Sequence, residues 1–166
     1  MEAVKLIDIA EALDTDLEES GFYLDVVKAE IILIEDRVVE FIEEHLELLA
    51  DQNSSDATIR GFMKNETIDR DIDEIRTLAS IYDSLLYIEP FDSHEQYELM
   101  EEFIDSEEDE KVRSLLRVAI EGRGAFRRFK DSLSSIGQLQ EWYDYHENAI
   151  NHKAIEWCED RNIPFT

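Results

Sequence analysis

Residues 37–50, RVVEFIEEHLELLA, place Val38, Phe41, Ile42, His45, Leu46 and Leu49 at steps of three and four, which winds them onto one stripe of an α-helix. A stripe that wide has to be buried against another element. The same spacing recurs at Leu6, Ile9, Ala10 and Leu13, at Ile72, Ile75, Ala79 and Tyr82, and along Leu139, Trp142, Tyr143, His146, Ile150 and Trp157. Only five glycines and two prolines punctuate the chain, so long helices rather than many short strands are expected to bury these stripes. At 166 residues there is enough chain for one core and little for two.

Two β-branched and aromatic runs in GFYLDVVKAEIILIED flank a short polar break at 28–30 and predict an antiparallel β-hairpin. Its turn lacks the Gly or Asn that the favoured two-residue hairpin turns use. LLYIEP, at 85–90, predicts a third short strand that stops at Pro90. Residues 51–58, DQNSSDAT, read as an exposed, variable loop within 45–75. SHEQ at 93–96 has the spacing of a capping box, Ser93 with Gln96, opening a helix over 93–104. Further helices are expected over 107–121, after Gly124, and over 138–160. The expected fold class is therefore α+β: one mostly helical domain over 1–166, with a small antiparallel hairpin and a third short strand.

The chain carries 42 acids against 16 bases, a formal net charge of −26. Such a charge repels nucleic acid and anionic lipid on average, which counts against a general DNA or RNA binder and against membrane association. No apolar run approaches the roughly 18 residues a membrane span needs. The acidic start, MEAVKLIDIAEALD, lacks the basic flank of a secretory leader. With Cys158 as the lone thiol, the expected location is the cytoplasm.

The charge is unevenly placed. Between 77 and 110 there are twelve acids and no Lys or Arg, whereas 111–130 holds seven bases and one acid, Glu121. The acids at 107–110 followed by Lys111, Arg113 and Arg117 match the polarity of a helix dipole, so part of this basic island has a structural explanation. EGRGAFRRFKDSL, at 121–133, is the remainder. Gly122 can end one helix and Gly124 can open the next. Phe126, Phe129, Leu133 and Ile136 then share a buried face, which sends Arg127 and Arg128 to the opposite side beside Asp131, with Lys130 flanking the stripe. Cations in a first helical turn oppose the macrodipole, and free amides together with arginines attract an anion. Arg123, Gly124, Arg127, Arg128 and Lys130 are therefore the candidate binding residues. Their counter-ion is either the protein's own acids at 95–110 or an acidic or phosphorylated group on a partner protein.

Other motifs fail on spacing. DRDIDE at 69–74 has Glu74 where a calcium loop needs glycine and Ser80 where it needs glutamate. His146 and His152 diverge on a helix, HEQYE lacks the second histidine of a zinc protease, and GRG lacks the lysine and hydroxyl of a phosphate loop. His45 has no second ligand four positions away and reads as a core or rim residue. Acidic neighbours would raise the pKa of Cys158 and leave it unreactive. No catalytic residue, metal ligand or cofactor is assigned.

GRGAFRRFKDSL, followed by WYDYH and AIEWCEDRNI, resembles an uncharacterised protein family, number 0158. The similarity takes in FYLD, EIILIE and SHEQYELMEEFI and leaves out about 45–75. It rests on Gly122 through Lys130 and on Trp142, Tyr143, Trp157 and Cys158. The resemblance implies a hairpin followed by helices and carries no activity, and the hairpin turn here departs from the family's usual Gly-containing form. Three function classes stay open: a non-enzymatic binding protein docking an acidic or phosphorylated group at the basic turn, an acidic decoy for a basic protein, and a small enzyme acting on a phosphorylated substrate.

Overall fold

The computed structural model describes residues 2–51 and 53–166. In chain order it contains α1 (Leu6–Leu13), β1 (Ser20–Asp25), β2 (Glu30–Glu35), α2 (Asp36–Ala50), α3 (Asp56–Asn65) and α4 (Ile72–Ile81). A 3-10 turn at Tyr82–Ser84 then leads to β3 (Leu85–Ile88), α5 (Ser93–Ser106), α6 (Glu110–Ala119), α7 (Ala125–Ile136) and α8 (Leu139–Asp160). This is the α+β class expected, mostly helical around a small antiparallel sheet of order β2-β1-β3. Among the described residues no helix is long and apolar enough to cross a membrane.

Alternation along the strands splits the sheet between two cores. Phe22, Leu24, Leu86 and Ile88 face α1 and the second half of α8, where they meet Ile9, Leu13, Ile150, Ala154, Trp157 and Cys158. Tyr23, Ile32, Ile34 and Leu85 face the other way, onto Val38, Phe41 and Ile42 of α2 and Ile72 and Ile75 of α4. A third core forms away from the sheet, between α5, α6, α7 and the first half of α8, around Met100, Phe103, Leu116, Phe129, Leu133 and Trp142. Burial of each such side chain contributes about 1.5–3 kcal/mol.

The hairpin forms without glycine because a carboxylate takes its place. Asp25, fully buried, accepts hydrogen bonds from the Val27 amide at 2.9 Å and the Lys28 amide at 3.3 Å, and Ala29 adopts the left-handed φ of 57°. The turn is thus 26–29, and Glu30, expected in the polar break, begins β2.

Three boundaries also move. The segment read as a loop through 58 becomes α3 at Asp56, capped by the Ser55 side chain on the Ala57 amide. The capping box of α5 is Asp92 with Glu95, one residue before the Ser93 and Gln96 pairing. Both registers satisfy the spacing, but a carboxylate binds helix-start amides more strongly than a hydroxyl, and Asp92 holds an extended φ/ψ of −72°/169°. Those amide hydrogen bonds hold its carboxyl below the usual range. Helix α6 begins only at Glu110, because Asp109 is its cap and Glu107 is occupied by the Asp109 amide and the Gln138 side chain, each at 2.9 Å.

Candidate docking site

Helix α6 ends at Ala119, and the chain reverses through Gly122 at φ 71° and Gly124 at φ 75° before α7 begins. Both conformations are left-handed and cost a residue with a Cβ about 1 kcal/mol. What fixes the reversal is Arg128. Its guanidinium donates to the Ala119 carbonyl at 3.0 Å and to the carbonyls of Glu121 and Arg123, closing the carbonyl end of α6 with a positive charge. Arg128 therefore does not share the outward direction of Arg127 expected from the helical wheel. Three of its contacts are made to the chain's own backbone carbonyls.

Two more bases of the island are used internally. Arg113 donates twice to the Glu107 carbonyl, at 3.0 and 2.6 Å, and Arg117 reaches Asp105 at 2.5 Å. Of these, Arg117 alone meets a side-chain acid from 95–110. Arg127 stands 87% exposed, with Asp131 a loose 3.7 Å away. Arg123 and Lys130 are exposed, and among the described residues neither has an ion pair. Gly124 provides no side-chain cap, and the first turn of α7 contains no acid. In the sequence Arg123 and Arg127 thus flank the uncapped amides at the positive end of a helix dipole, where cations are least favoured and an anion is most favoured, and Lys130 follows in the second turn.

Beside this turn lies a cleft of about 310 Å³ between α5, α7 and α8. Phe129 and Trp142, edge to face at 4.9 Å, and Met100 belong to the buried core that floors it. Phe126 and Tyr143 line it while remaining 37% and 45% exposed, although both were expected on buried stripes. Lys130 stands one turn beyond Phe126, at the same cleft. His146 approaches Asp14 at 3.4 Å, and Gln96 completes the polar lining.

The model of the uncharacterised protein family UPF0158 matches residues 58–166. The chain belongs to UPF0158. A curated UPF0158 protein of Pseudomonas aeruginosa is 32% identical over 80 residues, covering 48% of this chain. The chain spans about half the length of that relative, 52%. No solved structure matches. The UPF0158 match includes the basic turn and every residue of the cleft except Asp14. It takes in 58–75, which the motif resemblance left aside, and stops short of FYLD and EIILIE in β1 and β2.

Sequence reasoning did not find the cleft, because its lining is gathered from the end of α1 and from α5, α7 and α8. The local signals were pairs four apart: Gln96 with Met100, Phe126 with Lys130, and Trp142 with His146. A second cluster in this UPF0158 protein was also invisible locally. Glu44, His45 and Glu66 bring a ligand atom each within 4.8 Å, with His45 at a non-helical φ of −117° inside α2. His45 Nε2 lies 3.1 Å from Glu66 Oε1, and its ring packs between Phe41 and Phe62, each at 4.7 Å, so a hydrogen bond and aromatic packing already account for its placement. Cys158 is fully buried, and it is burial rather than acidic neighbours that pushes its thiol pKa up, against the opposing charge of Arg161.

Proposed function

We propose that this UPF0158 protein is a non-enzymatic docking protein of the cytoplasm. The start of α7, with Arg123, Arg127 and Lys130, receives an acidic or phosphorylated group on a partner protein. One observation carries the reading: in a chain of net charge −26, Arg123 and Lys130 have no ion pair among the described residues and Arg127 only the exposed Asp131 at 3.7 Å, near an uncapped helix start, while Arg113, Arg117 and Arg128 are used in the fold. Titration of the isotopically labelled chain with a phosphoserine peptide, followed by amide NMR, tests it. Amides from Gly122 to Arg127 should shift in the wild type and stay still in Arg123→Glu/Arg127→Glu, a pair that leaves Arg128 in place. Shifts spread over the surface, or retained in the variant, would remove the proposal.

A decoy that offers its acids to a basic protein is the second reading, supported by the exposed Glu98, Glu101, Glu102 and Asp105 of α5. Its complexes should weaken steeply with salt.

A further inference from the structure

We infer, resting on the docking proposed above, that the cleft between Phe126 and Tyr143 seats a large apolar side chain of the same partner. The ligand is then a peptide segment in which an aromatic or leucine-sized residue lies within a few positions of its acidic or phosphorylated one. Two of the walls argue for an apolar occupant, while Asp14, Gln96 and His146 give the cleft a polar side as well. Phe126 and Tyr143 leave aromatic surface open on either side of a floor that is already packed, and aromatic surface held half exposed gains from being covered.

Charge argues for an acid close by. Lys130 stands at the cleft without an ion pair among the described residues, and Arg127 is almost fully solvent-exposed on the same helix. Span argues for a chain rather than a small anion. From Gly124 to Lys130 the helix rises about 9 Å, more than one phosphate covers, whereas about three residues of extended peptide reach that far. A volume of about 310 Å³ accommodates one large side chain and lies at the lower limit of small-molecule sites.

The test is a selection of random linear peptides displayed on phage against the full chain. The enriched sequences are then measured by fluorescence anisotropy on wild type, Tyr143→Ala and Arg127→Glu, each checked for native circular dichroism. Peptides pairing an acid with a large apolar residue are expected. Tyr143→Ala should weaken them by about tenfold, and should have little further effect once the peptide's apolar residue is itself replaced by alanine. Acidic peptides with no apolar preference, or equal loss on Tyr143→Ala whichever residue the peptide carries, would overturn the cleft inference and leave the docking site standing. Apolar peptides with no acid, or no enrichment at all, would overturn both. Displacement of the peptide by a nucleoside monophosphate, with loss of that displacement in Tyr143→Ala, would assign the cleft to a small ligand instead.

Discussion

Arg128→Ala removes the group that binds the carbonyls of Ala119, Glu121 and Arg123 together, and is expected to cost about 2 kcal/mol. Arg127→Ala, one residue earlier and facing solvent, should stay within about 0.5 kcal/mol of wild type. Urea denaturation of the two variants measures the difference. The sequence could not separate the pair, because a helical wheel gives the direction of Cβ and not the reach of an arginine. Side chains lean toward the start of their helix, so Arg128 in the first turn extends past that start onto the end of α6. Asp92 gives a pH-dependent case. Its hydrogen bonds from the amides of Glu95 and His94 depress its folded pKa, so the folded state binds fewer protons than the unfolded chain near that value. The stabilisation is therefore present above about pH 4, the unfolded value, and lost as pH falls through the lower folded one. Asp92→Ala should lower the melting temperature at neutral pH, and thermal melts should converge with wild type in strong acid.

Gly122 and Gly124 turn α6 into α7, and their replacement separates two effects. Gly122→Ala meets open space and should cost about 1 kcal/mol for its left-handed backbone alone. Gly124→Ala places a Cβ 3.3 Å from Arg128 Nη1, so it should cost more by also pressing on the guanidinium that caps α6. Chemical denaturation of both variants, alone and combined with Arg128→Ala, reads that coupling. Elements with wide apolar stripes, such as α2 and α8, were legible from spacing because core packing dictates the pattern that spacing detects. Helix α3 was not, since DATIRGFMKN buries only Ile59 and Met63 and interrupts its exposed face with Gly61. Of the candidate site, the glycine turn and the outward Arg127 were legible. The cleft was not, because no local pattern encodes which face of α5 meets α7 and α8.

Across the whole molecule, a net charge of −26 acts on any partner before contact is made. An acidic peptide approaching the basic turn crosses a repulsive field, so its association rate should rise as salt is increased toward about 0.15 M, where the screening length is near 8 Å. A basic protein captured by a decoy would show the opposite slope, and stopped-flow measurements at several ionic strengths distinguish the two readings. Helix α8 joins the parts of the fold: its first half, with Trp142, belongs to the core behind the cleft, and its second half, with Ile150, Ala154, Trp157 and Cys158, belongs to the core behind the sheet. A ligand that holds α8 at Tyr143 therefore binds a helix that the sheet core must also release in order to open. By linkage, occupancy of the cleft should slow amide exchange in β1, away from the proposed contact, as hydrogen-exchange measurements with and without peptide would read.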